Sequence, residues 1–478
     1  MWAALLVAVP ILVSGLALTV GLRLGRPPVV DNDYWWHLAT GEWILDHRAI
    51  PTVDPFSGTH GGQPWVAHEW LAGVILAVVV ASGGYAGALI FTWIVAVAGF
   101  WRLLTGVRAY GMSRRALCAL MVLCGCPLIR QNVMTPRPQL WAFTLFAILL
   151  ACLCEYETGR RRVVWYLPLV FAIWINVNLS ALIGIACLGA FALDRLLRRE
   201  LERPLLIASL LSVAALLVNP QGIGLVTAVI KYADPDASRY ERIFEWMPPA
   251  RDDPTHWGLF LALTLAPVAV FQIARGRIWP TLPLLALAYQ AWTAVRFIPL
   301  YMMVAFVFAG WLVWRGAFGM KPVTEWTPLI PRSFWTGALA LNAAAVVILI
   351  ASFREESQFR REPDLLGFPV APAEIILEDY PTARLFNAYD FGGYLLHRFD
   401  GQQLVFIDGR EEMYGEPFMA RYWDLIDGAP GWEDAFAADG ITVALVRPWD
   451  GLADRLDEDA DWTESYADDD AILYVQAR

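Results

Sequence analysis

One short run of the chain, from Asp31 to His37, holds two carboxylates, an imidazole and three aromatic rings directly after an apolar segment. Ionisable groups near membrane depth are costly there and are usually retained for function. A turn or a helix cap would account for one acid, because Asp favours both positions. It accounts less well for Asp31 and Asp33 together, followed at once by aromatic rings and a histidine. We therefore expect a functional carboxylate at one of these two positions, and the sequence does not choose between them.

The rest of the first polar loop, predicted over residues 23–70, adds further acid–base groups. It holds four of the six histidines of the chain: His37, His47, His60 and His68. His68 and Glu69 form a candidate second acid–base pair, although they suit the start of an interfacial helix equally well. We assign His37, His68 and Glu69 to substrate binding. Asp54 before a proline is more typical of a turn.

Arginines lie between apolar runs at two places. The loop 130–139 contains Arg130 and Arg137, and prolines on both sides of Arg137 fix its backbone. Arg296 stands alone between two apolar runs. A guanidinium is always protonated and matches phosphate oxygens in a bidentate geometry. The three arginines are therefore candidates for binding an anionic ligand, with anchoring to lipid headgroups as an equally good alternative.

Weaker candidates lie in later polar segments. For Asn178, between two predicted helices, helix capping is a simpler explanation than substrate binding. Glu245 beside Trp246 is typical of sugar-contacting pairs, in which an aromatic face covers the ring and a carboxylate binds hydroxyls. An interfacial Trp with a solvated neighbour explains that pair equally well. Asp408-Gly409-Arg410 ends a predicted strand, where ligands of α/β proteins often lie, but an internal Asp–Arg pair that braces a turn explains it slightly better.

The elements that must position these residues are mainly apolar helices. Across 478 residues the chain is 58% hydrophobic and 17% charged, with a mean hydropathy of +0.47, which predicts an α-helical polytopic membrane protein. Apolar stretches predict about 11 transmembrane helices. They lie near residues 1–22, 70–101, 116–129, 139–157, 163–179, 181–194, 205–219, 257–274, 279–295, 297–314 and 334–352.

Charge divides the chain into two predicted domains. Residues 354–478 carry 28 acidic and 10 basic side chains, a net charge of −18, whereas residues 1–353 carry a net charge of +8. We predict a transmembrane domain over 1–353 and an acidic soluble domain over 354–478. An acidic domain does not suit a nucleic-acid partner. Strand-like runs that alternate with helical ones indicate a soluble α/β domain, with strands predicted at 384–389, 403–407, 442–446 and 472–475.

Basic residues predict which side of the membrane each connection faces. They concentrate in alternate connections, which the positive-inside rule places in the cytoplasm together with the N-terminus. The first loop and the soluble domain then lie outside the cytoplasmic membrane. Arg23 and Arg26 argue locally for the opposite side of the first loop, so the segment 70–101 decides. One crossing puts the loop outside, which we favour, whereas a hairpin broken at Ser82-Gly83-Gly84 puts it inside.

Together these features resemble the GT-C class of membrane glycosyltransferases, without pointing to a particular subfamily. Members have many transmembrane helices, an acidic motif in the first outer loop and often a carboxy-terminal soluble domain on the outer side. Asp31-Asn32-Asp33 stands in the place that matches the motif. The resemblance implies a sugar donor linked to a polyprenyl phosphate and used on the non-cytoplasmic face, with an acceptor that the sequence does not identify.

The resemblance also implies chemical roles. Asp31 or Asp33 would act as the general base on an acceptor hydroxyl, which is typically worth about 10²–10⁴-fold in rate. Arg137, with Arg130 or Arg296, would stabilise the charge on the leaving phosphate. A single displacement would invert the anomeric carbon. A divalent cation, Mg²⁺ or Mn²⁺, is compatible with these groups, but the sequence does not require one.

Two other functions stay open. A transporter or an assembly scaffold for a cell-envelope polymer would need no catalytic carboxylate, although the sequence shows no internal repeat of the kind common in transporters. A glycan ligase or polymerase would use similar arginines to move a whole glycan from its lipid carrier. Membrane lipids are partners in each case.

Overall fold

Helices follow one another along most of the chain. The computed structural model describes residues 32–112, 136–225, 229, 239–250, 262–316 and 367–477; the predicted apolar stretches 1–22, 116–129 and 334–352 lie outside these residues. Up to residue 316 the described helices are α1 (Asn32–His47), α2 (Trp70–Arg108), α3 (Pro138–Glu157), α4 (Leu167–Val177), α5 (Ala181–Leu197), α6 (Arg203–Ala215), α7 (Arg239–Arg242), α8 (Ala266–Ala274), α9 (Thr281–Thr293) and α10 (Ile298–Trp314).

Three segments among the described residues are long and apolar enough to cross a membrane. They are Gly87–Arg108, Pro138–Glu157 and Val295–Trp314. Two further helices, Trp70–Tyr85 and Arg203–Ala215, are apolar but shorter. The predicted total number of crossings stays a prediction.

Helix α2 is broken at Gly84. Its backbone angles (φ 62°, ψ −165°) are not helical, and a positive φ of this size is one that glycine adopts without steric cost. The break falls in Ser82-Gly83-Gly84, the point that the sequence marked for a hairpin. The single membrane crossing that we favour for this segment stays a prediction.

By its internal contacts the chain divides into two compact units. The first, which we call the helical unit, contains the described residues within 89–222 and 239–316. The second, the mixed unit, contains those within 25–88, 223–238 and 367–477. The mixed unit thus joins the predicted first loop to the predicted soluble domain. The predicted domain boundary between 353 and 354 lies outside the described residues.

The helical unit is built around α3 and α10. Both helices are hydrophobic on all sides and are almost completely buried, as expected when a helix is covered by neighbours all round. Helix α3 packs against α4, α5 and α10. Close approach of α2 to α3 depends on small residues, because a Cβ on Gly106 would lie 2.4 Å from the Cα of Ala151.

The mixed unit contains a four-stranded sheet flanked by helices. The helices of residues 367–477 are α11 (Val370–Asp379), α12 (Tyr389–Phe399), α13 (Glu411–Tyr414), α14 (Glu416–Ile426), α15 (Trp432–Asp439) and α16 (Gly451–Glu458). The strands are β1 (Leu385–Asn387), β2 (Val443–Val446), β3 (Trp462–Ala467) and β4 (Ile472–Gln476), in the order β1-β2-β4-β3. The β1–β2 pair is parallel, and the other two pairs are antiparallel.

The predicted strand 403–407 is wrong. This segment is mostly buried and mostly apolar, but its backbone does not join the sheet. The Phe406 N–H donates to the side-chain Oδ1 of Asn387 at 2.8 Å, and the Asn387 amide Nδ2 donates to the Ile407 carbonyl at 3.0 Å. An asparagine side chain and a single bridge to Ser57 of the first loop therefore take the place of strand pairing. The sequence also gave no sign of β3, whose residues are mostly exposed and polar.

Candidate functional site

Helix α1 carries Asp33 in its first turn and His37 one turn later, on the same face. The first turn suits a carboxylate, because a helix N-terminus favours negative charge. Oδ1 of the half-buried Asp33 accepts a hydrogen bond from the indole Nε1 of Trp36 at 3.1 Å. The indole therefore fixes the orientation of this carboxylate. Asp31, the other predicted base, lies outside the described residues.

Two glycines set how closely α1 approaches the first part of α2. A Cβ on Gly41 would lie 2.0 Å from the carbonyl oxygen of Gly73, so a larger residue would force the helices apart. This close crossing brings His37 beside the start of α2. Its Nε2 lies 3.1 Å from Oε2 of Glu69.

His68 extends this contact into a group of four, which we call the imidazole–carboxylate cluster: His37, Glu69, His68 and Glu412. Nε2 of His68 lies 3.7 Å from Oε1 of Glu69, and its Nδ1 lies 3.8 Å from Oε1 of Glu412. The cluster and three Trp side chains line a cavity of about 10 Å³, roughly room for one water molecule. The structure thus brings together three residues predicted to bind substrate and adds Glu412.

The geometry of this cluster does not decide whether it binds substrate or a metal ion. In this conformation the cavity is too small for a sugar, so substrate binding by His37, His68 and Glu69 stays a prediction. Within the described ranges no three His, Cys, Asp or Glu side chains are placed to hold a metal ion. The divalent cation considered from the sequence likewise stays a prediction. The arrangement is suited to passing a proton between imidazole and carboxylate groups.

The turn Asp408-Gly409-Arg410 lies directly against Asp33. A Cβ on Gly409 would lie 2.6 Å from Oδ1 of Asp33 and 2.8 Å from Nε1 of Trp36. Glycine therefore allows the backbone of the turn to reach the carboxylate. The sequence singled out this turn, but nothing in it connected the turn to Asp33.

Arg410 anchors that turn. It is fully buried, and its guanidinium contacts Asp54 at 2.7 Å (Nη1 to Oδ1) and Asp408 at 2.6 Å (Nη2 to Oδ2). The Tyr414 hydroxyl donates to Oδ2 of Asp408 at 2.7 Å. The guanidinium carbon also lies 4.6 Å from the ring centroid of Trp65, a favourable cation–π distance. The bracing Asp–Arg pair predicted within the turn is confirmed, and Asp54 of the first loop adds a second carboxylate.

The ion pair keeps Asp54 charged although it is buried. Burial raises the pKa of Asp54, but the Arg410 charge and hydrogen bonds from Ser57, Arg410 and the Phe56 N–H outweigh burial. They hold the pKa below its usual value of 3.8. Burial, followed by the charge of Asp408, raises the pKa of Tyr414 well above its usual value, so its hydroxyl remains a donor.

In the helical unit Arg137 and Arg296 share one carboxylate. Nη1 of Arg137 lies 2.8 Å from Oε2 of Glu245, and Nη1 of Arg296 lies 3.3 Å from Oε1. The guanidiniums of Arg296 and Arg239 lie 3.9 Å and 5.3 Å from the ring centroid of Trp246. These three guanidiniums, with Glu245 and Trp246, form a group that we call the arginine cluster.

The arginine cluster holds its carboxylate in the charged form. Burial raises the pKa of Glu245, but Arg296 and Arg137 outweigh burial and hold the pKa below its usual value. The predicted sugar contacts of Glu245 and Trp246 stay a prediction, because both side chains are engaged with arginines. Arg239 was not predicted from the sequence. The aromatic and acidic residues close to it in the sequence could have indicated a functional group there.

The other predicted site residues lie apart from these groups or outside the described residues. Oδ1 of Asn178 accepts a hydrogen bond from the Ser180 N–H at 2.9 Å, between α4 and α5. Asn178 is the residue that ends α4, and its side chain closes a turn there, while its predicted role in substrate binding stays a prediction. Arg130 lies outside the described residues.

Comparison with known proteins gives matches at the level of structure. No protein-family model matches the sequence, and no curated protein matches it. The archaeal oligosaccharyltransferase AglB of Archaeoglobus fulgidus, solved with an inhibitory peptide and dolichol-phosphate, has a TM-score of 0.53 at 11% identity. The match covers 94% of this chain and 69% of AglB.

Two further solved structures share the fold. ArnT of Cupriavidus metallidurans, bound to undecaprenyl phosphate, has a TM-score of 0.53 at 16% identity, covering 99% of this chain and 97% of ArnT. The mycobacterial arabinofuranosyltransferase AftD has a TM-score of 0.53 at 14% identity, covering 100% of this chain and 41% of AftD. These likenesses show the fold: the chain is a helical membrane protein with the GT-C architecture.

Proposed function

We propose that this chain is a membrane glycosyltransferase that moves a sugar from a polyprenyl-phosphate-linked donor to an acceptor hydroxyl on the non-cytoplasmic face of the cytoplasmic membrane. The observation that carries the proposal is the shared fold. Two of the transferases with that fold were solved with dolichol-phosphate or undecaprenyl phosphate bound. The chain supplies both kinds of group that such a transfer needs, a held carboxylate and a set of cationic side chains.

Asp33 is the proposed general base, with Asp31 as the other candidate. The carboxylate removes the proton from the acceptor hydroxyl while the hydroxyl oxygen attacks the anomeric carbon. The bond from that carbon to the phosphate oxygen breaks in the same step, so the configuration inverts. The Trp36 indole donates a hydrogen bond to Oδ1 of Asp33, and the backbone at Gly409 lies beside that oxygen. Both therefore hold the carboxylate in place for this step.

The arginine cluster is the proposed site for the donor phosphate. Guanidiniums match phosphate oxygens in a bidentate geometry, and Arg137 and Arg296 already converge on one anionic group, the Glu245 carboxylate. Charge that develops on the leaving phosphate is stabilised by cations already in place. A phosphate leaves without strong acid catalysis, so no separate general acid is required.

Native mass spectrometry of the gently solubilised protein tests the proposal. Wild type is compared with Arg137→Ala and with Arg162→Ala, which removes the same charge from an exposed position. We expect a co-purifying polyprenyl phosphate or its glycosyl form in wild type and Arg162→Ala, and its depletion in Arg137→Ala. Absence of such a lipid from wild type, even after polyprenyl phosphate is added, would count against the proposal.

A further inference from the structure

A second cavity lies in the mixed unit, and the proposed transfer chemistry does not use it. Its volume is about 380 Å³, within the size range of small-molecule binding sites. Residues 58–60 of the first loop form one part of its wall. The remaining wall is formed by residues 382–385, 403–406, Phe418, Arg421, Asp439 and Ile441.

Hydrogen bonds hold the two walls together. The Gly58 N–H donates to the Val405 carbonyl at 2.8 Å, and the Thr59 hydroxyl donates to the Phe406 carbonyl at 2.8 Å. The wall segment 403–406 then continues into the turn at Gly409, which lies against Asp33. The cavity and the proposed base are thus connected through one short, anchored stretch of chain.

The cavity has a positive charge in an otherwise acidic region. Asp439 pairs with Arg421 at 2.6 Å. Arg384 donates from Nε to the backbone carbonyl of Asp439 at 3.2 Å, and none of the carboxylates that the structure describes forms an ion pair with it. Residues 354–478 have a net charge of −18, so a guanidinium without a paired acid stands out as a position for an anion.

The remaining lining suits a sugar ring. The rings of Phe418 and His60 pack edge to face, with centroids 4.8 Å apart, and both line the cavity. An aromatic face can cover the C–H groups of a pyranose, while Thr59 on one wall and Gln403 on the other are the polar lining residues. Aromatic surface, polar groups and one guanidinium together match a sugar that carries an acidic group.

We propose that this cavity binds an anionic sugar, one with a carboxylate or a phosphate group, as the part of the acceptor that the protein recognises. The anion contacts Arg384 and the ring lies against Phe418. The identification of this sugar as acceptor rests on the proposed function, whereas its binding in the cavity does not.

Binding is measured directly with full-length protein in lipid nanodiscs. Saturation-transfer NMR is recorded with three soluble probes: glucuronate, glucose 6-phosphate and uncharged glucose. The test variant is Arg384→Gln, and the control is Arg455→Gln, which removes an equal charge from an exposed side chain elsewhere in the mixed unit. Arg384 is itself exposed, so its replacement leaves the core intact.

The expected result is binding of at least one acidic probe to wild type and Arg455→Gln, more tightly than glucose. Loss of one charge-assisted contact should weaken binding to Arg384→Gln roughly tenfold, and Arg384→Lys should recover part of the loss. The inference is overturned if neither acidic probe binds wild type, if glucose binds equally well, or if Arg384→Gln matches Arg455→Gln.

Failure of this inference and failure of the proposed function give different results. If Asp33→Asn abolishes transfer while the acidic probe still binds, both stand. If wild type binds the probe but transfers no sugar from any polyprenyl-phosphate donor, the proposed function fails and the binding site remains. If transfer occurs and Arg384→Gln changes neither probe binding nor the KM for an acidic acceptor, the cavity is not the acceptor site.

Discussion

At the scale of single residues, Asp33 differs from the exposed acids of the chain in how closely it is held. The Trp36 indole donates to it at 3.1 Å, and the backbone at Gly409 leaves no room there for even one more carbon atom. Holding a base in one orientation lowers the cost of aligning it with a hydroxyl. This arrangement makes Asp33 a better candidate for the general base than Asp46, which is exposed on the same helix.

The change Asp33→Asn preserves shape and removes the ability to accept a proton. We expect transfer to fall by about 10²–10⁴-fold, the usual contribution of general-base catalysis. Transfer from a polyprenyl-phosphate-linked sugar is measured in proteoliposomes, with Asp46→Asn as the matched control. Full activity in Asp33→Asn, in Asp31→Asn and in the double variant would show that neither carboxylate is the base.

The buried ion pair of Asp54 and Arg410 predicts an acid-dependent loss of stability. The folded pKa of Asp54 is depressed, so its stabilising contribution is complete above the ordinary value of 3.8 and is lost as the pH falls through the lower folded pKa. We expect Asp54→Asn to lower the unfolding temperature at neutral pH and to flatten the decline in acid. Tryptophan fluorescence during heating, across a pH series, measures both; an equally steep decline in Asp54→Asn contradicts the assignment.

At the scale of elements, the sequence predicted three of the four strands of residues 367–477, because their apolar pattern is local, but it did not predict helices α11 and α13. It failed at 403–407, where the backbone partners are the Asn387 side chain and the first-loop backbone near Ser57 rather than a strand of the sheet. It also failed at β3, where exposed polar residues carry no alternation. Hydrogen-bond partners that lie far away in sequence are not visible in a local pattern.

The same limit applies to the candidate site. Residue type and position identified Asp33, His37, His68 and Glu69 as chemically suited. No local signal could reveal that Glu412 lies beside His68, or that Arg410 pairs with a carboxylate 356 positions earlier. Those contacts exist only after the first loop and residues 367–477 have packed into one unit.

The crossing of α1 and α2 predicts a specific sensitivity at Gly41. Because a Cβ there would lie 2.0 Å from the Gly73 carbonyl oxygen, Gly41→Ala must separate the helices. We expect a loss of about 1–3 kcal/mol in unfolding free energy, typical of overpacking, and reduced transfer because His37 moves from Glu69. Thermal unfolding and transfer assays measure these effects.

Gly189→Ala is the matched control for this crossing. Its new Cβ meets nothing within 4 Å, and alanine favours a helix more than glycine does. A Gly41→Ala protein as stable and active as the control would show that the two helices tolerate a wider separation.

At the scale of the whole molecule, the GT-C architecture is shared with proteins at 11–16% sequence identity. Such a fold is preserved by apolar helices and by close packing at small residues rather than by particular side chains. The polar side chains that the fold positions distinguish this chain from those proteins. The side of the membrane on which they lie is accessible to experiment.

Cysteine labelling tests the predicted orientation. Arg162→Cys and Gln402→Cys each place a thiol at an exposed position. In intact cells we expect a membrane-impermeant maleimide to label Gln402→Cys, and to label Arg162→Cys only after the cells are opened. Wild type reports the background from native thiols. Labelling of Arg162→Cys in intact cells would reverse the assigned orientation.

The union of the first loop with residues 367–477 has a consequence for biosynthesis. Asp33, Asp54 and His68 emerge from the ribosome long before Gly409, Arg410 and Glu412. The earlier groups are therefore synthesised before the intervening helices, and their partners are synthesised only after those helices. A nascent chain that stops before residue 410 leaves Asp54 without its guanidinium.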